Sequence, residues 1–288
     1  MPVARMPRIG RRSLVPLLAA SSGAVLVSGC GGPEPVPTSA EVARDPLAVL
    51  DPDLWNARSA EELRALPVQG EASELSTWGD LGGEDSAVDG ARDMLVAFLG
   101  TAYLDPESLR GMDDEETFDH VSEAAPTFWR DALRSAWDDG SRAFYALALA
   151  EPFRTVGRPA ISADWFRAEQ EEAPALALGM TVAWSAIDTG TRAVGVLAYR
   201  LGIVLDLDGE GSTDGGGLKL TIHGLDGCGL AEHEGLLVPA LEDDERHHAV
   251  QEATRTSVLS SPRVPLEHLL DENSSLFTTD DETFLECE

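Results

Sequence analysis

From Asp85 the apolar positions fall at helical spacing. Val88, Ala91, Leu95, Phe98, Leu99 and Ala102 share one face, with Asp89, Arg92 and Asp93 on the other. "LDPESLRG" predicts a Pro-initiated helical turn closed by Gly111. "DDEETFDHVSEAA" predicts a second helix that stops at Pro126. A third puts Trp129, Ala132, Leu133, Ala136 and Trp137 on one stripe before Gly140 ends it. "SRAFYALALAE" fits strand and helix equally. After Pro152 the period falls to two. In "LALGMTVAWSAI", Leu176, Leu178, Met180, Val182, Trp184 and Ala186 alternate with small neighbours, so the expected strand has one bulky and one shallow face. The turn "DTGT" leads into "RAVGVLAYRLGIVLDLD", long enough for a bent or bulged strand. "LKLTIHG" then directs Leu218, Leu220 and Ile222 inward and Lys219, Thr221 and His223 outward, and an earlier strand is expected over "PAISADWFRAEQ".

Helices followed by long antiparallel strands is the order of an α+β domain, with N-terminal helices packed on a curved antiparallel sheet. In that order, in the opening helix "ARDMLVAFLGTAYLDPESL" and in the long final strands, residues 86–230 resemble the NTF2-like superfamily. The resemblance implies a cone-shaped sheet that encloses a pocket. In members that catalyse proton transfer it implies an Asp, His or Tyr inside that cone, and Tyr145, Asp164 and Tyr199 are the positions here that suit such a role. The match carries no catalytic signature.

The start of the chain follows different rules. A basic stretch precedes an apolar run from Leu14 to Val27, too short and too rich in Ala and Ser to span a bilayer. It fits the apolar region of a signal peptide. Val27-Ser28-Gly29-Cys30 matches the bacterial lipobox, so cleavage is expected between Gly29 and Cys30, with Cys30 carrying a diacylglyceryl group. Two acyl chains at about 0.8 kcal/mol per buried CH₂ make a durable anchor. "RRSLV" resembles the twin-arginine export motif, although Gly10 precedes the pair where Ser or Thr is usual. The whole segment is similar to that of exported actinobacterial lipoproteins. The Pro-rich stretch after Cys30 reads as a tether, with a short capped helix at "SAEELRAL" and with Trp55 and Trp78 available to pack on the domain.

Composition sharpens this picture. Acids outnumber Lys and Arg by 51 to 21, for a formal charge of -30, while 43% apolar residues allow an ordinary core. Four of the cations (Arg5, Arg8, Arg11, Arg12) precede Cys30, where no acid occurs, so the remainder is more acidic still. Such a surface repels nucleic acid and anionic headgroups. "DLDGEGSTDGGG" (residues 206–217) places oxygen ligands at alternate positions like a calcium loop. It has Gly217 where the closing Glu belongs and is flanked by strands, so it also reads as a wide hairpin loop.

Cys228 and Cys287 are the thiols left once Cys30 is acylated. A Cys228–Cys287 disulfide is the simplest reading in an oxidising compartment, closing a loop of about sixty residues for roughly 4 kcal/mol in the chain-entropy model. Free thiols, or zinc with His223, His233 and Glu234, are the alternatives. His120 and the His247-His248 pair read as solvated helix positions. No hydrolase elbow, Walker loop, dinucleotide fingerprint or His-Glu-x-x-His occurs.

The expected organisation is a signal peptide over residues 1–29, a lipidated tether over 30–84, an NTF2-like domain over 85–231 and an acidic extension over 232–288. The expected role is a membrane-anchored, extracytoplasmic, non-catalytic binding or accessory module with no metal or cofactor. It would meet the bilayer through Cys30 and take an unidentified protein or small-molecule ligand on the sheet's concave face or in its pocket. A small-molecule enzyme and a calcium-stabilised adhesion module are the competing readings.

Overall fold

The computed structural model describes residues 46–47, 50–71, 74–78, 81, 84–170, 173–207, 213, 215–279 and 281–287. At its centre is an open sheet of β1 (Val68–Gln69), β2 (Phe153–Gln170), β3 (Ala173–Asp188), β4 (Val194–Asp206) and β5 (Gly216–His223), in that spatial order. β2 to β5 form an antiparallel meander, and β1 joins β2 in parallel. The chain is therefore α+β with a mostly antiparallel sheet.

Strand alternation sets two unlike faces. On the inner face Leu176, Leu178, Met180 and Val182 of β3 lie beside Tyr199, Leu201, Ile203 and Leu205 of β4, all fully buried. Against them packs a helical layer of α1 (Ala60–Ala65), α2 (Glu84–Leu99), α3 (Asp114–Ala124) and α4 (Arg130–Asp138). The apolar stripe of α2 is buried as its spacing predicts. α3 opens with a capping box in which Asp113 and Glu116 each accept the other's backbone N–H, and Gly140, at φ 77°, ends α4.

The outer face is built from small and polar residues. Its cross-strand rows are Ala160–Ala183–Ala198–His223, Ser162–Thr181–Arg200–Thr221 and Asp164–Gly179–Gly202–Lys219. A second layer covers it. This layer comprises the segment around Leu47 and Trp55, then α6 (Glu245–Thr254) with its π-helical continuation Arg255–Leu259, then α7 (Leu266–Leu270) and a 3-10 turn at Ser275–Phe277. Between β5 and α6 come β6 (Leu225–Asp226) and α5 (Gly227–Glu232), and β7 (Phe284–Leu285) pairs with β6 in parallel. Lys219, Thr221 and His223 do point outward as their alternation predicts, but outward leads beneath this layer. Thr221 and His223 are buried. Among the described residues both faces of the sheet are therefore covered, the outer one by this layer.

Two side-chain amides act as stand-in strands where the ladder runs out. Asn56 accepts the N–H of Ala163 and donates to its carbonyl, at 3.0 and 2.8 Å, on the free edge of β2. Gln251 does the same for Val196 on β4 beyond the end of β5, at 2.7 and 3.1 Å. Each satisfies a buried backbone pair that would otherwise be left unpaired.

The second layer sits close because the face beneath it lacks side chains. A Cβ built on Gly179 would lie 2.4 Å from the carbonyl oxygen of Val264, and one on Gly202 would lie 2.5 Å from Phe277 Cζ. Gly179→Ala should therefore cost about 1–3 kcal/mol by overpacking. Gly217→Ala, whose Cβ would meet nothing within 4 Å, should be neutral or mildly stabilising. Urea denaturation of the two variants checks the contrast; equal stabilities would mean the layer is not held this closely.

Candidate functional site

Two backbone irregularities meet at one end of the inner face. In β2 the register slips between Val156 and Ala160: Val156 faces Ser185 and Ala160 faces Ala183, so Gly157, Arg158 and Pro159 bulge opposite Trp184. Pro159 has no N–H to give the ladder, and Gly157, at φ 75°, makes the turn that L side chains rarely adopt. Strand β2 accordingly begins at Phe153, ahead of the Pro159 start that its alternation suggested. Facing the bulge, α2 widens into a π-helical turn, Gly100–Leu104. Its Tyr103 carbonyl accepts the Trp184 indole N–H at 3.0 Å, which fixes the ring. Bulges and π turns both recur at binding sites.

The third wall is the segment that leads into α1. Ala57 makes a two-bond antiparallel bridge to Ile161, and Ser59 caps α1 by accepting the N–H of Glu62. Between the three walls lies a cleft of about 460 Å³, lined by Arg58, Ser59, Ala60, Gly100, Leu104, Asp105, Gly157, Arg158, Pro159 and Trp184. The cleft is open to solvent. Arg158 Nη2 donates to Glu62 Oε1 at 2.8 Å, and Glu62 Oε2 accepts the Arg58 N–H at 2.6 Å. The Arg158 hydrogen bond holds the Glu62 carboxyl below its ordinary pKa. The lining offers guanidinium and aliphatic surface, while the Trp184 ring itself is buried. Sequence reasoning missed this cleft, although the "GRP" of the bulge, a Gly and a Pro inside a strand pattern, was a usable signal.

A buried polar belt lies under the outer layer. Arg200 donates from Nη2 to the carbonyls of Ser257 and Ser261, at 3.4 and 3.1 Å, at the end of the helix that begins with α6. Lys219 Nζ donates to Leu269 and Asp271 carbonyls, both at 2.8 Å, at the end of α7. A cation is the favourable charge at a helix C-terminus. His223 Nδ1 pairs with Thr283 Oγ1 at 2.9 Å, and burial, aided by the Arg200 charge, pushes its imidazole pKa down to about 3.

The other residues singled out by the sequence do not converge. Tyr199 is buried, with its hydroxyl donating to Ala143 O at 2.7 Å, and burial raises the pKa of both Tyr199 and Tyr145. Asp164 lies on the opposite face, paired with Arg263 at 2.8 Å and accepting from Gln69. Cys228 and Cys287 stand at disulfide distance, 5.0 Å between Cα atoms, beside the β6–β7 pair. With Cys228 so placed and His223 turned to Thr283, those two residues do not join His233 and Glu234 in a metal cluster among the described residues. His247 is buried, where a solvated position was expected. Its Nδ1 lies 2.7 Å from Asp244, while His248 is exposed. Gly29, Cys30 and residues 208–212 and 214 of the 206–217 loop lie outside the described residues. Among the described residues no helix is long and apolar enough to cross a membrane. No family model, curated protein or solved structure matches this chain.

The His223 environment makes a pH prediction. Its imidazole stays neutral in the folded chain while the unfolded chain takes up a proton below its ordinary pKa of 6.5, so stability falls as pH falls from 6.5 towards about 3. Between pH 6.5 and pH 5 the loss should be about 2 kcal/mol. His223→Asn, which keeps the Nδ1-like bond to Thr283, should flatten that slope in denaturation curves.

Proposed function

We propose that this chain is an exported lipoprotein held on the extracytoplasmic face of a bacterial cell membrane by acylated Cys30, and that its folded part is a non-catalytic binding module. The observation that carries the binding role is the cleft at the β2 bulge. It lies between the helical layer and the bulged end of the sheet, and the NTF2-like resemblance belongs to the same reading. The anchoring role is supported by the sequence: a basic start, an apolar run of signal-peptide length and the four lipobox positions ending at Cys30. The proximity of Cys228 and Cys287 suits an oxidising compartment. The acidic body, repelled by anionic headgroups, favours standing clear of the bilayer on its tether.

Intact mass of the protein extracted from its native membrane, with and without reductant, tests the anchor. The expected species begins at Cys30, carries a diacylglyceryl group and gains two hydrogens on reduction. An unlipidated chain cut elsewhere would remove the anchor and leave Cys30 without a role.

A further inference from the structure

We propose that Glu242, Asp244 and His247 form a site for one divalent ion of the zinc class, with Asp226 orienting the imidazole. The three side chains come from the turn before α6 and from its first turn, and each brings a ligand atom within 4.8 Å of the other two. His247 is the anchor. Its side chain is only 8% exposed, and its Nδ1 lies 2.7 Å from Asp244 Oδ2. The other ring nitrogen points to a ligand. Nε2 is buried without a hydrogen-bond partner, yet it faces the buried carboxylate of Asp226 on β6, whose Oδ2 is 3.7 Å away.

A neutral imidazole carries one N–H. With that proton on Nδ1 for Asp244, Nε2 turns a bare lone pair towards a carboxylate in a buried place, which costs free energy. A metal ion on Nδ1 removes the conflict. The ring then holds its single proton on Nε2, facing Asp226, so a neutral ring changes tautomer and releases no proton. A carboxylate behind a ligating histidine is the usual means of orienting such a ring. Asp226 is itself held, because its Oδ1 accepts the Cys228 N–H at 2.9 Å. Glu242 and Asp244 are exposed and can draw in to ligand distance without disturbing the core. Their two charges balance a divalent ion, so it sits at the N-terminus of α6 without opposing the helix dipole. One imidazole with two carboxylates suits zinc, with water completing the shell, and is a poor match for calcium or magnesium, which take oxygen ligands. So placed, the ion clips the start of the outer layer to β6.

Zinc titration of the untagged, metal-free full chain, followed by calorimetry and by imidazole ¹⁵N NMR, tests the site. One equivalent should bind and move the His247 proton from Nδ1 to Nε2, and excess magnesium or calcium should not compete. Glu242→Gln, at an exposed position, and Asp226→Asn should each weaken binding by about 10–100-fold. Asp244→Asn keeps the helix cap and should weaken it as well. Asp243→Asn, an exposed neighbour outside the trio, should leave the affinity unchanged. No bound zinc, or a doubly protonated ring that ignores zinc, would overturn the proposal. Equal losses in Asp243→Asn and Glu242→Gln would overturn it too, marking adventitious binding to an acidic turn.

Discussion

Everything in this molecule depends on how close a second layer can come to one face of the sheet. Gly179 and Gly202 are neighbours across β3 and β4, and they sit where Val264, Leu269 and Phe277 press down. Two rows along the strands, the small residues Ala160, Ala183 and Ala198 take Trp55 and Val258. Large side chains on this face would hold the layer off and leave voids, and each methylene of mismatch is felt in an interior packed like a crystal. The inner face follows the opposite rule, with Leu, Met, Tyr and Trp filling the space beneath the helices. One sheet therefore carries two kinds of core, and the alternation of β3 and β4 encodes both.

Close approach has an electrostatic counterpart. The ends of two covering helices arrive over the sheet with unpaired carbonyls, and bare alanines could not satisfy them. Arg200 and Lys219, neighbours on that face, meet those carbonyls. The single lysine of the chain is thus used for structure. Thr181 adds a third tie by donating to the Pro262 carbonyl at 2.6 Å. The polar belt is a fastening for the layer above it, and its hydrogen bonds fix where that layer sits while the apolar contacts supply most of the burial.

Much of this was legible in the sequence. The helical stripe of α2, the capped helix at "SAEELRAL", the stop at Gly140 and the alternation of β3 all follow from spacing and from local chemistry. The shallow face was legible too, but its meaning was not. A row of Ala, Gly, Ser and Thr is the same signal whether water or another layer lies over it, and the residues that decide the matter are tens of positions downstream. The partner segment carries little periodic signal of its own: α6 is short and polar, and its one inward glutamine works by imitating a strand. The cleft was illegible for a related reason. Its walls come from residues 58–60, 100–105, 157–159 and 184, which no local pattern connects. Tyr199 misled because a buried tyrosine that only needs a carbonyl looks, in sequence, like one that does chemistry.

The position of the covering layer also governs when this protein can be finished. Strands β2 to β5 are joined by neighbouring pairings and can associate as soon as they are made, yet much of their small-residue face stays bare until residues 245–277, which follow all of them, arrive over it; the segment around Leu47 and Trp55 covers the rest. A growing chain folds from its N-terminus onward, so the sheet carries an incomplete core until those residues are made. That late closure leaves the earlier segments less tightly held until then. It also leaves the final step of folding to residues that follow every strand of the main sheet.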